Sequence, residues 1–471
     1  MPATVDTLSD AYKTMRAAWN LPDALRGGTR AMRDASTVYL PREPKEKETA
    51  YLARLNRTVL FNAYRDSLER LGSKPFRRPI VVEGLPDDLK PMIADCDGRG
   101  TSLTTFARRW LISAIHRGIG HVLVDFMPNP DRRVRADPAA PKRFLPYFVL
   151  VDASEVIGFR EEADLGPPKL SQLRRLTKAF VDDGDWGEKL VESVTVYDYG
   201  AVRRFVKVED AWVQFGDVTA ISIKDRIPIV SANLCETGFM TAAPCLEDLA
   251  WINLAHWQSS SDQRACLRYA RLPILFRKGD FRDEDGKETT TVTIGPGCVI
   301  ASSDTSADLK YVEHTGAALK VGQDDLDSLE RKMEVLGLAP MMRRTGGETA
   351  TGKAMDAAQA ATDLGGWIAI LESALTECFT VAAQWMGVEL GDDFKLKIAA
   401  DAELSAQGDS ELRALSSARL NGDISRKTFL AELKRRGVLS DTVDIESEVA
   451  ASDADDPTGA GDTADPDEGT S

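Results

Sequence analysis

Ala243-Pro-Cys-Leu-Glu-Asp-Leu-Ala-Trp-Ile-Asn-Leu-Ala-His256 opens the stretch on which the reading of this chain turns. Leu246, Leu249, Ala250, Leu254 and Trp257 recur at helical spacing, while Asp248, Asn253, Ser259 and Asp262 fall on other faces. Pro244 sits in the first turn, where its missing N–H costs little, and Pro273 follows the end, so a helix is expected over 243–270. Residues 274–315 are β-rich, with turns at Asp285-Gly286 and Gly295-Pro296-Gly297. A second helix is expected over 323–336, then a polar loop over 339–351. A long Ala-rich helix follows over 353–386, with Ala357, Ala361, Leu364, Ile368, Leu371, Leu375, Ala382 and Met386 on one stripe. Gly365-Gly366 suggests a kink in its middle. Two short helices, 410–420 and 426–436, flank Asn421-Gly422, and the composition after Glu448 predicts disorder.

Working back towards the N-terminus, 6–19 reads as a short helix and 46–71 as a long one, with Leu52, Leu55, Val59, Leu60, Ala63 and Leu68 at helical spacing. Asp97-Gly-Arg-Gly100 is a turn, and Thr101 or Ser102 caps a helix carrying Leu103, Phe106, Trp110, Leu111 and Ile115 that ends at Gly118. His121-Val-Leu-Val-Asp125 is a buried-strand run. Short strands are expected at 147–151, 193–198, 202–208, 212–215 and 220–223, with 171–181 as a helix or insertion among them. The fold class is therefore α+β.

The chain has 471 residues, enough for two to four ordinary domains or one elongated subunit. Asp6 and Asp10 exclude a signal peptide over 1–16, and no run of about 18 apolar residues is present to span a membrane. The net charge is −15; no base follows Arg436 and nine acids lie from Glu446 onward, which leaves −6 for the rest. A tight duplex-DNA binder would show a concentrated basic stripe, and none is visible. The six cysteines form no CxxC and no zinc spacing, and read as small core residues of a reduced protein.

Motifs of catalysis fail one by one. Gly347-Glu-Thr-Ala-Thr-Gly-Lys353 matches the phosphate-binding GxxxxGK, but Ala354 stands where a magnesium-holding Ser or Thr is needed, and no buried strand precedes it. His116 and His121 are five apart across a helix end, which does not suit a shared metal. Asp283-Glu284-Asp285-Gly286 lacks the spaced ligands of a calcium loop and reads as a charged hairpin tip. No GxSxG or HExxH occurs. No catalytic residue, metal or cofactor is expected. Arg343-Arg344, in a loop with Gly and Thr, forms a cationic tip that reads either as an ordinary solvent-exposed loop or as one that touches phosphate.

Three segments carry a family resemblance: Tyr39-Leu-Pro-Arg-Glu-Pro-Lys-Glu46 with 51–62; Asp97-Gly-Arg-Gly-Thr-Ser-Leu103 through Gly120-His-Val-Leu-Val-Asp125; and 243–256 with Ser260, Asp262 and Leu272-Pro273. With the element order, they resemble the portal (head-tail connector) subunit of tailed bacteriophages, in a sub-family once known only as an uncharacterised phage domain. The likeness covers roughly 39–440. It implies a wing over 1–242, a stem of two antiparallel helices over 243–272 and 319–338, a small β-rich clip over 273–318 and a tunnel loop over 339–352. A long kinked wing helix over 353–392, a helical crown over 393–445 and a disordered acidic tail over 446–471 complete it. Arg343, Arg344, Thr345 and Lys353 would then contact DNA from the tunnel loop. Asp283, Glu284, Asp285, Lys287 and Glu288 would form the docking surface of the clip, and Asp324, Asp325 and Asp327 would face the channel. The stem helices read as too polar to bury themselves within one subunit, so neighbouring copies would cover them. The resemblance further implies a non-enzymatic ring of twelve copies at one capsid vertex, made in the bacterial cytoplasm. Its partners would be the major capsid protein, the large terminase subunit, a head-tail connector or adaptor protein, and double-stranded DNA read without sequence specificity. Other readings are a different capsid or tail structural protein, or a nucleotide-dependent enzyme built on the Gly347 loop.

Overall fold

The computed structural model describes residues 3–126, 145–162, 166–183, 186–209, 211–271, 274–278, 306, 308–312, 317–338, 363–398, 415–419, 423–435, 445 and 447–448. The chain divides into two compact units, 1–398 and 399–471.

The first unit contains helices α1 (Asp10–Asp34), α2 (Glu48–Arg57), α3 (Ala63–Ser73), α4 (Pro91–Ala94), α5 (Leu103–Arg117), α6 (Glu247–Ala270), α7 (Ala317–Leu338) and α8 (Asp363–Met386). Its strands are β1 (Val81–Glu83), β2 (Ile119–Asp125), β3 (Tyr147–Val151), β4 (Val156–Glu162), β5 (Lys169–Asp183), β6 (Gly187–Asp198), β7 (Ala201–Val208), β8 (Ala211–Gln214), β9 (Thr219–Ala220), β10 (Ile229–Asn233), β11 (Glu236–Gly238), β12 (Thr241–Ala242), β13 (Ile274–Lys278), β14 (Asp308–Val312) and β15 (Lys395–Lys397). In the second unit α9 (Arg426–Arg435) begins at Ser425, whose hydroxyl accepts from the Thr428 N–H. The mixture of helices and antiparallel sheets fits the α+β class.

Two sheets form the centre. One is antiparallel in the order β10-β2-β3; the other runs β4-β5-β6-β7-β8, with β9 beside β7. One face of the larger sheet lays Val194 and Val196 on Tyr12, Met15 and Trp19 of α1. Its other face brings Leu173 to Leu123, Val151 and Ile229 of the smaller sheet. Because strand side chains alternate, Val122, Val124 and Phe148 leave the smaller sheet on its far side. There Phe148 meets Phe106 of α5 and Phe379 of α8. By length and composition α8 could cross a membrane, contrary to the expectation that no such segment exists. Its Leu364, Trp367, Leu371, Leu375 and Phe379 are instead buried in this core.

Several expectations are corrected. Helix α1 runs past residue 19 to Asp34, with Pro22 inside it; only Gly28, at φ 77°, leaves helical geometry. The helix expected over 46–71 is two helices. Thr58 is extended, its hydroxyl caps back on the Arg54 carbonyl, and Asn62 starts α3 by accepting from the Arg65 N–H. Residues 171–181 are neither helix nor insertion but most of β5, paired with β6 from Gln172↔Asp198 to Asp183↔Gly187. Helix α6 starts at Glu247, after Pro244, and α8 continues through Gly365-Gly366 as one helix. Strand β15 pairs with β1, so the first unit reaches Ile398.

The cysteines also differ from expectation. Cys235 and Cys245 are joined by a disulfide, because the β11–β12 hairpin returns the chain and leaves their Cα atoms 5.8 Å apart. Cys96 and Cys378 are buried and Cys266 is exposed.

The chain enters α6 through a narrow gap. Helix α5 ends on Gly118 at φ 84°, a left-handed cap. A Cβ there would stand 1.9 Å from the Ala243 carbonyl oxygen. Gly118→Ala should therefore combine left-handed backbone strain with a backbone collision and cost about 3 kcal/mol or more. Urea unfolding of the two proteins checks this, and equal midpoints would refute the account.

Candidate functional site

Helices α6 and α7 and the ribbon of β13 and β14 form one antiparallel arrangement. In the ribbon, Ile274 pairs with Val312 and Lys278 with Asp308. The helices continue the same register. His256 Nε2 lies 3.3 Å from Glu330 Oε1, Ser259 Oγ donates to Asp325 Oδ2 at 2.6 Å, and Gln263 Nε2 donates to the Leu319 carbonyl at 2.7 Å. Two glycines let α7 close in. A Cβ on Gly322 would stand 2.1 Å from Gln263 Oε1, and one on Gly337 would stand 2.3 Å from Ser67 Oγ of α3.

The first two-thirds of α6 is held by the body on one side of the helix. Asn253, expected off the apolar stripe, is fully buried. Its Oδ1 accepts from the Tyr64 N–H at 3.0 Å and its Nδ2 donates to the Phe61 carbonyl at 2.8 Å. One side chain thus holds the turn that starts α3. Arg54 binds Glu46 through Nε (3.0 Å) and Nη2 (2.8 Å), and the Pro41 carbonyl through Nη2 (2.9 Å). The Glu46 carboxyl is held below its usual range by that bond. Beside it, Asp262 is pushed up, first by burial, with Arg54 opposing and Glu43 and Glu46 adding to the rise. Thr58 Oγ1 donates to Ser261 Oγ at 3.0 Å and completes the seam.

The far side of the hairpin is uncovered. Trp251 is 56% exposed and Val335 60% exposed, and the register of His256 against Glu330 sets them level with each other. Val321, further out on α7, is also exposed. A separate cleft of about 770 Å³ lies between α3 and α7, lined by Phe61, Asp66, Arg70, Glu330, Met333 and Glu334.

Of the residues expected to function, Asp324, Asp325 and Asp327 stand exposed on α7. Asp325 is engaged by Ser259, and Asp327 accepts from Gln323 Nε2 at 2.8 Å. Arg343, Arg344, Thr345 and Lys353, the Gly347 motif, and Asp283, Glu284, Asp285, Lys287 and Glu288 lie outside the described residues. The histidines are separate. His116 joins Tyr64 to Asp23 and is held below its usual pKa by burial, which the Asp23 hydrogen bond partly offsets. His121 contacts Ser231 and is pushed down to about 4 by burial. Among the described residues, no group of three or more His, Cys, Asp or Glu is placed to hold a metal. Sequence reasoning missed Trp251, Val335 and Asn253. Trp251 could have been found as a large aromatic lying off the apolar stripe of α6.

A family model described as a domain of unknown function (DUF4055) matches residues 245–386, which include α6, α7 and all of α8. No curated protein matches the chain. Among solved structures, the chain is similar to one from the virion of a native gene transfer agent particle, at 11% identity and TM-score 0.43, covering 85% of this chain and 98% of that one. It is also similar to chains from the neck of that native particle computed with C12 symmetry (12%, TM-score 0.41) and of the empty particle computed with C6 symmetry (11%, TM-score 0.42). Each of these two covers 79% of this chain and 89% of the other.

Asn253→Leu removes both bonds and leaves the Tyr64 N–H buried without a partner. It should cost about 2–4 kcal/mol in chemical denaturation, whereas Asp324→Asn, on the exposed face, should change stability by less than about 0.5 kcal/mol. Equal effects would show that Asn253 does not anchor α6.

Proposed function

We propose that this chain is the portal subunit of a tailed bacteriophage, a ring-forming channel protein at one vertex of the capsid. The observation that carries the reading is the antiparallel helical hairpin with a β-ribbon at its end, anchored in an α+β body and exposing Trp251, Val321 and Val335. That arrangement has the parts and the order of a portal stem and clip. The three sequence segments quoted above support it independently, since two lie outside the hairpin.

In this reading the hairpin is the stem and Trp251 with Val335 belongs to a contact between neighbouring copies. Exposed large apolar groups at one level of a helical pair are a usual mark of an interaction site. Head-to-tail contacts that close give a ring, with twelve copies as the family's number. The terminase motor docks at the ribbon end during packaging, drives double-stranded DNA through the hole, and is then replaced by a connector protein. The portal assigns itself no catalytic step in this scheme, and the major capsid protein surrounds it in the virion. Acids on α7 repel phosphate and keep DNA from sticking, while Arg343, Arg344, Thr345 and Lys353 touch the backbone without reading sequence.

Negative-stain images of the purified chain should show washer-shaped rings with a central hole. Trp251→Ser combined with Val335→Ser should shift the rings to smaller species in size-exclusion chromatography with little change in monomer folding. Filaments or shells would favour another capsid or tail component, and ATP hydrolysis by the purified chain would favour an enzyme. Arg343→Ala with Arg344→Ala should lower DNA packaging or retention in assembled particles; unchanged retention would remove those arginines from the DNA path.

A further inference from the structure

Residues 3–9 and the start of α1 cross one face of the six-stranded sheet and leave a cavity of about 550 Å³. Four cations from distant parts of the sequence line it: Lys13, Arg160, Arg174 and Arg203. The register explains their meeting. Gly158 lies opposite Arg174, Arg174 opposite Val196, and Val196 opposite Arg203, while Arg160 lies opposite Gln172 in the next row of the same face. No such cluster is visible along the chain, whose net charge is −15.

Two of the four are neutralised. Arg203 pairs with Asp198 at 2.6 Å and Lys13 with Asp10 at 2.8 Å. The other two are not: among the described residues, neither Arg160 nor Arg174 forms an ion pair. Arg174 donates Nη1 to the Val5 carbonyl at 3.0 Å and lies over Gly158, where a Cβ would stand 2.3 Å from Nη2. The absent side chain is what lets the guanidinium rest against the sheet. Burial, and next to it the charge of Arg160, hold Arg174 below its usual pKa, against the opposing charge of Asp6. Two like charges side by side, one of them partly buried, repel each other, and an anion that joined them would relieve that repulsion. A guanidinium fork matches the oxygens of a tetrahedral oxyanion, and two forks match two edges of it.

We propose that this cavity binds a phosphate group between Arg160 and Arg174, with Arg203 and Lys13 at its rim. The phosphate is either the free ion or one phosphodiester of a nucleic-acid backbone. The site stands apart from the helical hairpin and does not depend on the portal reading.

Isothermal titration calorimetry on the full chain tests it, with sodium phosphate as the probe against sodium chloride at matched ionic strength. Wild-type protein should bind phosphate saturably. Arg160→Ala, which leaves the Val5 anchor intact, and Arg174→Lys should each weaken binding about tenfold or more, the scale of a lost charge-assisted fork. A short duplex of mixed sequence forms the second arm. If it competes with phosphate and is weakened by the same variants, the source is the phosphodiester; if it does not compete, the source is the free ion. Absence of saturable phosphate binding by the wild type overturns the proposal, and so does wild-type affinity in Arg160→Ala. Melting curves without phosphate establish that Arg160→Ala is folded, so its result stands even if Arg174→Lys is not.

Discussion

Helix α5 ends with carbonyls that have no partner in their own helix, as every helix does. Here three carbonyls at its end are claimed by different parts of the chain. The Ile115 carbonyl accepts from the Cys245 N–H, the Arg117 carbonyl from Trp19 Nε1, and the Gly118 carbonyl from the N–H groups of Leu234 and Cys235. One turn therefore ties the first helix, the exit of β10, the disulfide and the entry of α6. The left-handed conformation of Gly118 makes the turn tight enough for the 243 backbone to pass. An apolar contact could slide along a helix, whereas these bonds have fixed partners and set where α6 begins.

Past that origin, α6 is positioned by buried polar groups more than by its apolar stripe. The bonds of Asn253 form only when α3 and α6 are in register, and the contacts of Arg54 and Thr58 with Ser261 only when the end of α2 and α6 are. Leaving a buried amide or guanidinium unpaired costs more than a typical bond gains, so the arrangement penalises every alternative register. Towards its far end the hairpin changes character. The α6–α7 contacts there are hydroxyl, amide and carboxylate groups over a small residue, Gly322, and α6 becomes largely exposed beyond Gln263. The hairpin is thus fixed at its base and open to solvent, or to another chain, along its outer face.

The order of elements was legible because long helices and glycine-bounded strands carry strong periodic signals. Helix α6, the helical end of the second unit and most strands of the larger sheet follow from such signals. Strand β5 was not legible for a physical reason: Leu170, Leu173, Leu176 and Phe180 are spaced as on a helix, and only pairing with β6 over twelve positions overrides that pattern. The break between α2 and α3 was hidden because its stabilising groups, Asn253 and Arg33, come from elsewhere in the chain. The disulfide was hidden for the same kind of reason, since a hairpin brings together two cysteines ten positions apart. At the candidate site the polar positions of α7 were visible as exposed acids. The apolar half of the outer face was not, because Trp251 and Val335 become level only once the two helices are paired.

Exposed acids and exposed apolar groups share the hairpin in a way that bears on a channel. A lining that guides a polyanion has to avoid both tight binding and adhesion, which acids supply and a basic stripe does not. A contact between copies needs desolvated apolar anchors, which acids alone cannot provide. Helix α7 carries both kinds of group on its exposed surface: Asp324 and Asp327 remain in water, and Val321 and Val335 are exposed on the same helix, as Trp251 is on α6. The cleft between α3 and α7 is a second, different surface, lined by Phe61 and Met333 among charged groups. A head-to-tail ring requires two unlike surfaces on each copy, and a two-fold dimer requires only one. The portal reading therefore makes a stricter demand on this chain than mere self-association, and the hairpin with its neighbouring cleft offers the two surfaces that demand calls for.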